Sequence, residues 1–260
     1  MKKIILCILM MFSSLVYSQQ SIEFIVKAAV GGPDDILTRR IADHLERTTD
    51  MRFVVVNKPG AAHMIGYSYF ENTQHPALLI GDVNIQTHPV YSSSERIFDI
   101  GEFTNTLFVR KNSGIESLND LIQLSKTREI KFGHGGVGTF SHTAASIMCE
   151  KIKCMLVPYK SGAPGMIDLM TGQIDAFALI SYGSNVYMNN DNYVPIVMYS
   201  TTKHPKYNVP LLPSSMKSME IKNWIALFSR NLSAKQNKEI TKAMSTIDKS
   251  FFIDSGLWLK

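Results

Sequence analysis

The stretch IKFGHGGVGTFSHTAASIMCEKIKCMLVP, residues 130–158, decides the fold. Ile130 to Phe132 reads as a strand, Gly133-His134-Gly135-Gly136-Val137-Gly138 as a glycine loop, Phe140 to Lys151 as a helix and Cys154 to Pro158 as a second strand. Two strands joined through a helix lie parallel, with the helix packed across them. On the C-terminal side the plan repeats through the loop Ser161 to Gly165, a helix from Met166 to Met170, a strand from Ile174 to Ile180 and another from Val194 to Tyr199.

The N-terminal side follows the same order. Ile22 to Val26 is a strand, Asp34 a helix cap, and Leu37, Ile41 and Leu45 share one helical face. Phe53 to Val56 returns as a strand, Asn57-Lys58-Pro59-Gly60 turns, Met64 to Phe70 is helical and Ala77 to Ile80 is a buried strand. Gln86 to Glu102 reads as a long polar connection into the strand Thr106 to Arg110, after which Ser117 to Asp120 opens a capped helix. Trp224 to Phe228 is a late strand and Ser233 to Ile247 a capped helix. The fold class is therefore α/β with two Rossmann-like lobes, residues 19–107 plus 223–260 and residues 108–222. Two chain crossings between them predict a ligand cleft at the lobe boundary.

The chain has 260 residues, 45% of them hydrophobic and 19% charged, which suits a globular protein and excludes collagen-like, disordered and cysteine-stapled classes. Lys2 and Lys3 precede the apolar run Ile4 to Val16, and Val16-Tyr17-Ser18 fits a peptidase site, so residues 1–18 read as a secretory signal. The run falls short of the ~20 residues that a spanning helix needs. The net charge of +5 is scattered rather than gathered on one face, which excludes nucleic acid as the partner. Cys149 and Cys154 remain after cleavage, and export would permit a disulfide if their Cα atoms come within ~4.4–6.8 Å; the sequence leaves this open. No second Cys or His pair with ligand spacing accompanies them, so no metal and no cofactor is expected.

The glycine loop matches G-x-G-x-x-G between a strand and a helix, yet the next strand ends in Val157-Pro158-Tyr159-Lys160 without the acidic residue that would hold a ribose. What the loop offers is a set of backbone N–H groups at a helix start, an anion site to which Thr139, Ser141 and His142 add side-chain donors. Thr139 equally fits a simple helix cap. Gly31-Gly32 and Ser161-Gly162-Ala163-Pro164-Gly165 offer two more amide-rich loops at strand ends, and the three could converge on one small anion. His134-Gly135-Gly136 has the look of an esterase oxyanion loop, which makes a secreted serine-type hydrolase using Ser141 or His134 the competing reading. No G-x-S-x-G elbow occurs, and adjacent Ser141 and His142 point different ways on a helix.

These residues resemble the extracytoplasmic solute-binding proteins of tripartite tricarboxylate transporters, the Bug family. The resemblance runs through Gly31-Gly32-Pro33-Asp34-Asp35-Ile36, Val56-Asn57-Lys58-Pro59-Gly60-Ala61 with Ile65-Gly66, and Leu78-Leu79-Ile80-Gly81. It continues through Gly136-Val137-Gly138-Thr139-Phe140-Ser141-His142, Val157-Pro158-Tyr159-Lys160-Ser161-Gly162-Ala163-Pro164 and Asp168-Leu169-Met170-Thr171-Gly172-Gln173-Ile174-Asp175. It implies a type II, Venus-flytrap periplasmic binding protein, monomeric and without catalysis, that delivers a small carboxylate to membrane permease subunits. With the loops above, it places the ligand against Val30, Gly31, Gly32, Asn84, Gly138, Thr139, Ser141, Ser161, Gly162, Ala163 and Ser181. The sequence departs from the family at Lys27-Ala28-Ala29-Val30, at Ala62-His63-Met64 and at the largely apolar Leu179-Ile180-Ser181, and its tail is short. A binding fold that has lost its ligand and serves as a sensor or scaffold is the third reading.

Overall fold

The computed structural model describes residues 21–82 and 94–259; the expected secretory signal and Asn84 lie outside them. In the first sheet, β1 (Ile22–Val26) pairs in parallel with β2 (Phe53–Asn57) and β3 (Ala77–Asp82). Late strand β10 (Asn223–Arg230) adds antiparallel to β3 and to the edge strand β4 (Glu95–Phe103), giving the order β2-β1-β3-β10-β4. β4 lies where a polar connection is expected. Edge position explains this, since Glu95, Arg96 and Asp99 are not enclosed, whereas Ile100 and Phe103 turn into the core.

In the second sheet, β6 (Ile130–His134) is parallel to β7 (Cys154–Pro158) and β8 (Ala176–Ile180), while β5 (Asn105–Arg110) runs antiparallel to β8 and to β9 (Tyr193–Met198). The order is β7-β6-β8-β5-β9. The change of sheet falls at Thr104, so the expected lobe division after residue 107 runs through β5. Thr104 is held there by its hydroxyl on Tyr199 O and by its N–H on Ser181 Oγ.

Helices cover both faces of each sheet. On the first, α1 (Pro33–Thr48) places Leu37, Ile41 and Leu45 in a core with Ile22, Phe24 and Leu227, and α2 (Met64–Asn72) sets Tyr67 and Phe70 against Ile25 and Leu79 on the reverse face. Gly66 makes this second packing close, because a Cβ there would lie 2.6 Å from the Cα of Lys27. On the second sheet, α3 (Leu118–Thr127) and α4 (Phe140–Cys149) share a core with Phe132 and Val197, and α5 (Gly162–Thr171) packs Met166 and Leu169 on Phe177. The short α6 (Asn185–Met188) follows β8, and α7 (Ala234–Ser245) returns to the first sheet.

A last helix, α8 (Lys249–Asp254), stands where the tail reads as short, and after it Trp258 exchanges both backbone hydrogen bonds with Glu102 of β4. At the far end of α4, Cys149 and Cys154 have Cα atoms 5.5 Å apart with their sulfurs joined, within the range a bridge needs.

Candidate functional site

Helices α1, α2, α4 and α5 begin at one cleft of about 550 Å³ between the sheets. Each start exposes N–H groups that the helix itself leaves unbonded, and their local sequences decide what those groups hold.

At α4, Thr139 is the N-cap: its hydroxyl accepts from His142 N at 3.2 Å and donates to Gly136 O at 2.7 Å. Capping thus takes one amide and leaves those of Phe140 and Ser141, both lining the cleft, without an intrahelical partner. The glycine loop is more occupied than its sequence implies. Gly135 N donates to Ser141 Oγ at 2.9 Å, Gly136 N to His134 Nδ1 at 3.3 Å and Gly138 N to His142 Nδ1 at 3.3 Å. The two imidazoles lie 4.6 Å apart. Burial holds His134 below the ordinary imidazole range, and His142 adds to that. Its neutral ring can therefore accept from the loop.

At α5, Ser161 is an N-cap whose side chain makes no cap hydrogen bond, and Pro164 has no N–H to satisfy. The Ser161 hydroxyl and the Gly162 amide are left to the cleft. Lys160 lies beside them, exposed, with no ion pair to a described residue. Tyr159 completes this side. Its hydroxyl donates to Asp168 Oδ2 at 2.8 Å, and burial together with that bond pushes it up to about 12, so it stays protonated.

At α1 the outcome is different. Gly32 is the N-cap and Pro33 opens the helix, so Asp34 is not the cap but sits in the first turn with Asp35. Asp35 accepts from Gly31 N at 2.9 Å, from Arg39 Nε at 3.0 Å and from Asn57 Nδ2 at 2.9 Å. Asp34 points inward, where Oδ1 accepts from Lys27 Nζ at 2.6 Å and from the Tyr182 hydroxyl at 2.9 Å. Lys27, 1% exposed, also donates to Ile80 O at 3.1 Å and lies 3.6 Å from Asp82. Burial disfavours a charged Asp34, yet the Lys27 ammonium overrides it and holds the carboxyl below its ordinary range. His63, on the same side, is held low by burial and then by Lys27, against Asp34 and Asp82.

Of the expected ligand residues, the structure brings together Gly32, Thr139, Ser141, Ser161 and Gly162. Val30 points to solvent, 71% exposed, and the amides of Gly31 and Gly138 are spent on Asp35 and His142. Ala163 lies in the first turn of α5, outside the lining. Ser181 is a strut: its hydroxyl donates to Gly256 O at 2.8 Å and accepts from Thr104 N at 3.2 Å. Lys27, Asp34, His63 and Lys160 line the cleft unanticipated. An isolated Lys directly after a strand, with Asp at the next helix start, was the signal available for the first pair.

Ser141 is not equipped as a nucleophile. Its hydroxyl accepts from Gly135 N and bonds Thr139 Oγ1 at 3.0 Å, while His142 faces Gly138. Among the described residues, no group of three or more His, Cys, Asp or Glu side chains is placed to hold a metal.

The family model described as "Tripartite tricarboxylate transporter family receptor" matches residues 37–251. The chain belongs to this receptor family. A curated relative from Agrobacterium vitis, "UPF0065 protein in the TAR-I ttuE-ttuC' intergenic region", is 24% identical over 251 residues, spanning 88% of this chain and 72% of its own. BugT of Bordetella pertussis is 24% identical over 177 residues, 62% of this chain and 54% of its own. Among solved structures, R. palustris Rpa4515 with adipate has a TM-score of 0.80 at 19% identity, covering 90% of this chain and 86% of that one. The periplasmic binding protein BugD has a TM-score of 0.79 at 20% identity, covering 93% and 89%. MatC from Rhodopseudomonas palustris with bound malate has a TM-score of 0.77 at 18% identity, covering 91% and 88%. The receptor is thus a periplasmic binding protein in fold, with two α/β sheets flanking a cleft.

Proposed function

We propose that this receptor captures a small organic carboxylate in the cleft and hands it, without chemical change, to membrane permease subunits of a tripartite tricarboxylate-type transporter in the periplasm. The observation that carries the reading is the meeting of the α4 and α5 starts, where the amides of Phe140, Ser141 and Gly162 and the hydroxyl of Ser161, beside Lys160, have no partner among the described residues. Donors of this kind match a carboxylate and cost little to preorganise. The relatives bound to adipate and malate support the same class of ligand.

In this reading the first lobe carries β1 to β4 with β10 and the second carries β5 to β9. They close on the ligand about the crossings at Thr104 and between β9 and β10. The committed Ser141 hydroxyl supports transport over hydrolysis. A thermal-shift screen of residues 19–260 against mono-, di- and tricarboxylates tests it. A ligand at 100 times its Kd stabilises the fold by about 2.7 kcal/mol. Silence across all carboxylates from a folded protein would overturn the proposal, and ester turnover lost in Ser141→Ala would replace it with a hydrolase.

A further inference from the structure

The two walls of the cleft differ in what their donors already hold. On the α4 and α5 side, two amides at one start, an amide and a hydroxyl at the other, and the Lys160 ammonium have no partner among the described residues. On the α1 side, the Gly31 amide is taken by the chain's own Asp35. Lys27 is engaged by Asp34, Asp82 and the Ile80 carbonyl. That buried cluster holds one cationic and two anionic side chains, and Asp34 itself lines the cleft. Apart from the His63 ring and the Tyr182 hydroxyl, which is given to Asp34, its remaining surface is apolar: Ala28, Ala29, Ala61 and Ala62, with Leu179 and Ile180 alongside.

The geometry points to a ligand with one carboxylate and an uncharged, largely apolar body: the carboxylate sits on the α4 and α5 starts, and the body lies against the α1 wall. This rests on the carboxylate-receptor reading and narrows it. A second carboxylate reaching the α1 wall would meet alanine methyl groups and the like charge of Asp34, with the Lys27 ammonium committed elsewhere. A buried anion without a partner is rejected rather than merely held weakly.

Titration calorimetry on residues 19–260 with acids of matched carbon skeleton decides it: hexanoate against adipate, and benzoate against terephthalate. The monocarboxylate of at least one pair is expected to bind roughly tenfold or more tightly than its partner. Asp34→Asn, which keeps the side chain's shape, is expected to narrow that gap by improving the diacid. Should the variant not fold, the wild-type pairs decide alone. Diacids that bind as tightly as their matched monoacids in both pairs overturn this inference and leave the carboxylate receptor standing. Failure of every mono-, di- and tricarboxylate to bind overturns both.

Discussion

Helices α1 and α5 both start at the cleft behind an N-cap that makes no side-chain cap hydrogen bond, Gly32 in one and Ser161 in the other. The first turn of α1 carries Asp34 and Asp35, and that of α5 carries Ala163, Pro164 and Gly165. The Asp35 carboxylate thus takes the Gly31 amide just ahead of α1, whereas the first turn of α5 carries no acid. A glycine-rich helix start is consequently an anion site only when the residues after it do not bring an anion of their own. α4 is intermediate, since Thr139 takes one of its amides and leaves two.

The largest way to disturb this contrast is Lys27→Met. It strips the cation from buried Asp34 and Asp82 and is expected to lower the unfolding free energy by about 3–5 kcal/mol in urea titration. A loss under about 1 kcal/mol would mean that the α1 wall is not organised by this charge cluster. Next is the brace behind the open wall. Peptide mapping without reductant should find Cys149 linked to Cys154, and the double Ser variant should cost about 2 kcal/mol, as expected for so short a loop, with ligand affinity unchanged. Free thiols in the protein isolated without reductant would show that no such brace exists.

A smaller pair of substitutions separates capping from binding. Thr139→Ala should cost about 1 kcal/mol of stability because the His142 amide loses its acceptor. Ser161→Ala, whose side chain caps nothing, should leave the melting temperature in place and weaken carboxylate binding by roughly tenfold, the worth of one hydrogen bond to a charged group. Equal stability losses in both would erase the distinction between the two starts.

The smallest effect is the pH dependence. Burial holds His63 on the α1 wall and His134 under the glycine loop below the ordinary imidazole range, with Lys27 adding to the first and His142 to the second. The unfolded chain therefore takes up protons before the folded one. Stability should be complete above about pH 6.5 and fall as the pH drops below it. His63→Asn, an acceptable residue for the left-handed backbone at φ 76°, and His134→Asn should each flatten that fall in melting curves from pH 8 to 5. Curves parallel to the wild type would show that neither ring is the one protonated.

Much of the fold was legible in residue order. Ile130 to Pro158 announces a parallel unit because alternating strand and helix patterns leave few ways to bury both, and the turn residues mark where each begins. β4 was hidden, since an edge strand that is half exposed carries charges that read as loop. The site was legible as loops rather than as residues. Thr139, Ser141, Ser161 and Gly162 stand out in sequence because hydroxyl and glycine positions at helix starts have few roles, whereas the bonds of Ser181 to Thr104 and Gly256 are not legible there, because a buried hydroxyl serves a strut as readily as a ligand.

By itself the sequence determined the α/β class, the three amide-bearing helix starts and the resemblance to a receptor family, because these follow from local periodicity and from backbone geometry at glycine. Tertiary structure alone decided which helix starts meet at one cleft and how the acidic side chains of the α1 start are held. That placement depends on partners distant in the chain, such as Lys27 with Asp82 or Asp35 with Asn57, and a one-dimensional pattern does not encode which side chains meet.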